Sequence, residues 1–196
     1  LGPRVVAVSK DEEHRFSKVP VERIEVLAGL GVVGDAHAGS KVQHRSRVRR
    51  DPTQPNVRQV HLVHAELFAE AERHGYALGP GDLGENVLTA GLDLLGLPTG
   101  TLLQIGEARL RLTGLRNPCA QINQFRPGLL KVVLAKEDGS PHDQPAPSTA
   151  TPSATGSRLI RKAGVMAVVE CSGEIRPGQE IGLSLPPGPH RPLEPV

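Results

Sequence analysis

Glycine and proline cut this chain into short pieces, and that punctuation limits what it can build. Its 196 residues include 22 glycines and 18 prolines. Glycine admits backbone angles that other residues avoid, and proline lacks an amide donor, so both tend to end regular elements. Between them run short apolar stretches with a period of two, such as Ala108, Leu110 and Leu112, leading to Gly114. Alternation of that kind turns one face of a strand inward. Many short strands and few helices are expected. With aromatics at 2%, the core must come from Val, Leu, Ile and Ala.

Taken in order, residues 4–9 read as an opening strand, 10–18 as a polar loop and 19–27 as a second strand. Residues 29–39 hold four glycines, which permits tight turns and close approach of backbone to a ligand. Residues 41–55 are basic and irregular, and Arg58 begins the next strand, over 58–63. A short helix is predicted over 65–74, with Leu67, Phe68 and Ala71 on one face and Gly75 ending it. A second glycine-rich turn, 79–87, enters another strand. Residues 101–105 and 108–115 form a hairpin about Gly106 and Glu107. A second short helix is predicted over 127–135, and closing strands over 165–171 and 180–185. The sum is a single domain over 4–185, mainly β with a few short helices, most simply a closed or nearly closed β-barrel. Residues 137–157, rich in Pro, Ser, Thr and Ala, are the expected flexible loop within it, and 186–196 a Pro-rich tail.

Composition excludes several function classes. No apolar run approaches the ~18 residues that a membrane span needs. A net charge of +2, no Trp, one Tyr and three Phe offer no stacking platform for nucleic acid. Two cysteines and no signal peptide point to a reduced, cytoplasmic setting.

Four places carry candidate chemistry. Cys119 follows a strand end at Pro118, beside Arg116, Asn117 and Gln121. A nearby cation favours the reactive thiolate, and the amides can hydrogen-bond a bound group; a buried structural cysteine fits the same pattern. Cys171, after an apolar run, reads as core or strand edge. His37, near Asp35 and Gly39, is either a ligand contact or a solvated loop histidine, whereas His61 and His64 fall on opposite faces of a strand and make a poor metal pair. The basic stretch with Arg45, Arg47, Arg49, Arg50 and Arg58 is either an anion-binding rim or a solvated loop. In Gly81-Asp82-Leu83-Gly84-Glu85-Asn86, the carboxylates suit acid–base work or simple turn chemistry.

Taken together, these motifs resemble one family. The segments at 34–39 (GDAHAG), 58–60 (RQV), 81–87 (GDLGENV), 97–101 (LPTGT), 117–119 (NPC), 164–169 (GVMAVV) and 175–181 (IRPGQEI) are similar in order and spacing to the MOSC family. That family is named for the C-terminal domain of molybdenum cofactor sulfurase.

The resemblance implies a β-barrel of the MOSC type and a molybdenum cofactor, a molybdopterin bearing a phosphate. It implies that Cys119 is a molybdenum ligand or carries sulfur as a persulfide. On that footing Arg58 and Arg116 would neutralise the cofactor's charge. Asn86, Asn117 and Gln121 would hydrogen-bond the pterin, the turns at Gly34 and Gly84 would bring backbone N–H groups to it, and His37 or Glu85 would move protons. The implied activity is reduction of N-hydroxylated compounds, with a separate electron-donor protein. The alternatives are a non-catalytic sulfur or cofactor carrier served by a sulfur-donor protein, and a Cys-His hydrolase or transferase using Cys119 and His37. No pyridoxal phosphate site is expected.

Overall fold

In the computed structural model, residues 2–136 and 158–196 are described. The first strands are β1 (Arg4–Lys10), β2 (Val19–Val21), β3 (Ile24–Leu27) and β4 (Gly31–Val32), followed by helix α1 (Arg45–Arg50). Strand β5 (Val60–His64) runs straight into helix α2 (Ala65–Arg73), and β6 (Val87–Ala90) follows. The hairpin is β7 (Leu102–Ile105) and β8 (Ala108–Leu115). Next come helices α3 (Gln121–Phe125) and α4 (Leu129–Val133), then β9 (Leu134–Lys136) and β10 (Leu159–Arg161). The last strands are β11 (Val165–Cys171), β12 (Gly173–Ile175) and β13 (Gly182–Ser184).

Eight strands form one sheet in the order β13-β7-β8-β11-β5-β6-β1-β2. Every pairing in it is antiparallel except β5 with β6, where α2 makes the crossover that parallel neighbours require. The β7–β8 hairpin closes where expected, with Ile105 opposite Ala108 and Gly106 at φ +58°. Along β8, Ala108, Leu110 and Leu112 are buried and Arg109 and Arg111 exposed, which is the alternation read from the sequence. Smaller sheets, β12-β3-β4 and β10-β9, flank the main one.

The expected closed or nearly closed barrel is corrected to an open, curled sheet. Its edges, β13 and β2, are each three residues long and do not pair with one another. Pro20 in β2 has no N–H to extend a ladder. The sheet does bend far enough for the chain before β13 to reach β1: the Val5 N–H donates to Gln179 O (2.9 Å) and the Gly178 N–H to Val5 O (2.8 Å).

Other expectations shift as well. The strand predicted over 19–27 is two strands in different sheets, and the helix predicted over 127–135 is one turn, α4, followed by β9. The 41–55 segment holds α1, and Arg58 precedes its strand, which starts at Val60. The loop predicted over 137–157 lies outside the described residues. The proline-rich end is pinned along β8, where Leu115 N–H donates to Glu194 O (2.8 Å) and Leu193 is buried in the core. Among the described residues no helix is long and apolar enough to cross a membrane.

Two apolar clusters meet near the end of β8. The larger is built on β1, β3, β7, β8 and β11 and includes Val8, Ile24, Leu103, Leu110 and Val165. The other packs Leu67 and Ala71 of α2 against Leu83, Ile122 and α4. The segment 116–121 crosses from one to the other, and the burial of Ile122 fixes the helix that begins two residues after Cys119.

Candidate functional site

Strand β8 ends by delivering Arg116 into the interior. Its backbone N–H donates to Gly164 O (2.9 Å), and its guanidinium donates to the Leu83 carbonyl (2.7 Å) while lying 5.5 Å from the Phe16 ring centroid. The strand ends at Leu115, and Pro118 lies in the irregular segment that follows. Cys119 is half-buried, and its Sγ–H donates to Gln121 Oε1 at 3.5 Å. Asn117 accepts from Arg161 Nε (3.2 Å).

Arg58 arrives from the other side. Asn56, which is buried, donates through Nδ2 to the carbonyls of His37 and Gly39 (2.9 Å each) and accepts the Arg58 N–H (3.0 Å). One side chain thus ties the first glycine-rich loop to Arg58. The Arg58 guanidinium has no carboxylate partner among the described residues. Burial, with Arg116 and Arg47 nearby, pushes its pKa down to about 10, so it stays charged at neutral pH. Burial also lowers that of Arg116; in both arginines the charge interaction with Cys119 opposes the shift.

Between these residues lies a cavity of about 770 Å³. Arg15, Arg47, Arg50, Arg58, Arg116 and Lys18 line it, with His37, His44, His61, Cys119 and Gln121, and among the described residues no aspartate or glutamate does. Arg15 is neutralised by Glu13 (3.0 Å), and Lys18 by Asp35 (2.7 Å). Burial, then the nearby Arg58, drives the His44 pKa down to about 4, and burial holds His37 below its ordinary value. Both histidines are therefore neutral at pH 7. A cavity of this size with unpaired cations has the charge and dimensions that suit a small anionic ligand.

Behind the wall sits a buried polar network. Asp35 accepts from Lys18, from Asn86 Nδ2 (2.9 Å) and from the His37 N–H (3.0 Å). Asn86 also donates to Ser9 O (3.1 Å) and accepts the His61 N–H (3.1 Å). His61 in turn donates from Nε2 to Ala163 O (2.7 Å).

Of the residues singled out from sequence, Cys119, His37, Arg58, Asn86, Arg116, Asn117, Gln121 and Gly84 come together on the cavity, and Gly34 and Glu85 do not. Gly34, at φ +74°, faces Lys10. Gly84, at φ +80°, packs so that a Cβ would strike the Phe16 carbonyl, so its lack of a side chain serves packing. Asn86 touches the cavity with its hydrogen bonds already spent on protein. His44, Arg47, Arg50, Asn56 and His61 also line it. Nothing in the spacing marked Asn56 or His61, since the β5–β11 pairing that sets His61 opposite Met166 is long-range. Cys171 ends β11 opposite Arg109 and is free, as is Cys119.

Glu85 has a structural task. Its carboxylate, nearly fully buried, accepts the N–H groups of Gly81 (2.5 Å) and Leu83 (3.1 Å) and closes the turn. Burial outweighs those bonds and raises its pKa to about 7. A raised folded pKa contributes stability that is present below the ordinary glutamate range and lost as pH rises through 7. Glu85→Ala is expected to cost about 2–3 kcal/mol by orphaning two buried donors. The cost should be larger at pH 5 than at pH 8, read from urea unfolding midpoints.

Among the described residues no three His, Cys, Asp or Glu side chains cluster to hold a metal ion. A metal at Cys119 would need other donors brought by a ligand.

The family model described as MOSC domain matches residues 48–182. No curated protein matches the chain. Among solved structures, the YuaD protein from Bacillus subtilis superposes with a TM-score of 0.68 at 22% identity, covering 93% of this chain and 96% of that one. YiiM from Geobacillus stearothermophilus superposes at 0.58 with 16% identity, over 93% of this chain and 75% of that one. YiiM from Escherichia coli gives 0.57 at 16% identity, over 96% and 73%.

Proposed function

The chain belongs to the MOSC domain family, and on that premise we propose that it binds a molybdenum cofactor, with Cys119 as the protein's sulfur ligand, and reduces N-hydroxylated compounds. The observation that carries this reading is the cavity itself. Among the described residues it joins a thiol to the guanidiniums of Arg58 and Arg116, which lack carboxylate partners, and has no acidic residue in its lining. A phosphate-bearing dithiolene fits both features, because soft thiolate suits a metal–sulfur centre and arginine suits phosphate.

Arg58 and Arg116 are the residues to hold the cofactor's phosphate, both being close enough to Cys119 for their charges to interact with it. Gln121 orients the Cys119 sulfur through its hydrogen bond. The Nδ1 of His37 lies 3.4 Å from Asp35 Oδ1, and as a neutral imidazole the ring can take up and hand on a proton. When bound, the cofactor supplies two-electron redox chemistry, so that R–NHOH with two electrons and two protons becomes R–NH₂ and water. The electrons come from a separate donor protein. The hydrolase alternative has less support: Cys119 Sγ bonds to Gln121, and no hydrogen bond joins it to His37.

Protein purified from a cofactor-competent host is expected to hold molybdenum and pterin in equimolar amounts. Arg58→Glu should lower both at least about tenfold by setting a negative charge against the phosphate. Wild type without either component would overturn the proposal. A persulfide on Cys119, with no turnover when an electron donor is supplied, would favour the sulfur carrier instead.

A further inference from the structure

The cavity holds more positive charge than one cofactor phosphate balances, and the surplus lies in one place. Arg47 and Arg50 stand three residues apart on α1, hence on the same side of it, and both line the cavity. Helix α1 buries none of its residues and contains no acidic one, so these arginines are not held there by packing. Neither pairs with a carboxylate among the described residues. Arg47 is also close enough to Arg58 to disfavour its charge. Like charges gathered at a cavity raise the energy of the empty state, and an anion placed among them relieves it.

A phosphomonoester carries about −1.5 to −2 at pH 7. Arg58 and Arg116, grouped with Cys119, balance one such group. Arg47 and Arg50 are left for a second anion.

We propose that Arg47 and Arg50 bind a phosphate carried by the substrate itself, so that the preferred substrates are small N-hydroxylated molecules with their own phosphate. The inference rests on the cofactor reading above, because it divides the cavity's arginines between two anions. The phosphate serves only for binding. The N–O bond breaks as before, with two electrons from the donor protein and two protons, and the phosphate leaves unchanged.

The test uses a matched pair of probes, an N-hydroxylated cytidine nucleoside and its 5′-monophosphate, titrated calorimetrically into the purified protein as isolated. Wild type is expected to bind the monophosphate at least about tenfold more tightly, with the advantage shrinking as salt is raised. The double variant Arg47→Gln/Arg50→Gln should bind the two probes equally while keeping wild-type molybdenum and pterin content. Because α1 buries nothing, the variant should unfold at the wild-type temperature. Equal affinities in wild type would overturn the inference. So would loss of molybdenum or pterin from the double variant, since that would give these arginines to the cofactor. Wild type purified without cofactor would overturn the cofactor reading separately. In that protein, a phosphate preference that needs Arg47 and Arg50 would still uphold the anion site, and its absence would remove it.

Discussion

Cys119→Ala is expected to abolish turnover of N-hydroxylated substrates, by at least about 100-fold, while leaving the fold intact. The loss should reach or exceed the 10- to 100-fold that removing mere supporting partners of a metal ligand costs, since on the proposed reading Cys119 is the ligand itself. Stability should barely change. Cys119 is half-buried, its one hydrogen bond is a long thiol contact with Gln121, and the neighbouring helix is fixed by Ile122 instead. Steady-state rates with an artificial electron donor, alongside molybdenum analysis and thermal unfolding, check this. Cys119→Ser sharpens the result. Serine can keep a hydrogen bond to Gln121 but offers a harder donor, so it should fail as alanine does. Wild-type rates in either variant would remove Cys119 from the chemistry.

Asp35→Ala should produce the largest loss of stability, about 3–5 kcal/mol, because it strands a buried cation. Lys18 Nζ lies 2.7 Å from Asp35 Oδ2, with side-chain exposures of 4% and 0%. Burial by itself would raise the Asp35 pKa; the contacts from His37 and Lys18 outweigh it and hold the carboxyl well below its ordinary value. A depressed folded pKa contributes stability that is present above the unfolded carboxylate range, near pH 3.9, and lost on acidification below it. The gap between wild type and variant should therefore be full at pH 6 and shrink below pH 4. Burial already lowers the Lys18 pKa. Without Asp35 it should fall further, and an unpaired buried lysine that sheds its proton in the folded state gains stability as pH rises. The variant's deficit should thus narrow toward alkaline pH. Urea unfolding across pH 3 to 9 checks both limbs.

Asp35 also shows how one loop joins stability to the site. The same carboxylate that neutralises Lys18 accepts Asn86, and Asn86 accepts the His61 N–H on the cavity wall. Cavity readouts in Asp35 variants therefore belong beside stability measurements.

Much of this was legible from residue order. The β7–β8 hairpin, the α2 helix and the open thiol past Pro118 all follow from local rules: alternation, a helical apolar face, and a break where proline removes a donor. Glu85 shows the limit. Its sequence neighbourhood is equally compatible with proton transfer and with closing a turn. Only the direction of its carboxylate, toward Gly81 and Leu83, separates the two. The basic stretch shows another. Four arginines between 45 and 50 read as a solvated loop until α1 places Arg47 and Arg50 on the cavity.

By itself the sequence determined the strand-rich class, the family resemblance and the thiol beside a cation, because each depends on residues near one another in the chain. Only the tertiary structure decided that the sheet stays open, that Arg58 and Arg116 face one cavity, and that no carboxylate of the described residues joins them there. Those facts depend on pairings such as β8 with β11 and on Asn56 bridging to His37 and Gly39. Such contacts form between residues far apart in sequence, where hydrophobic burial sets the register and charge is placed as a consequence.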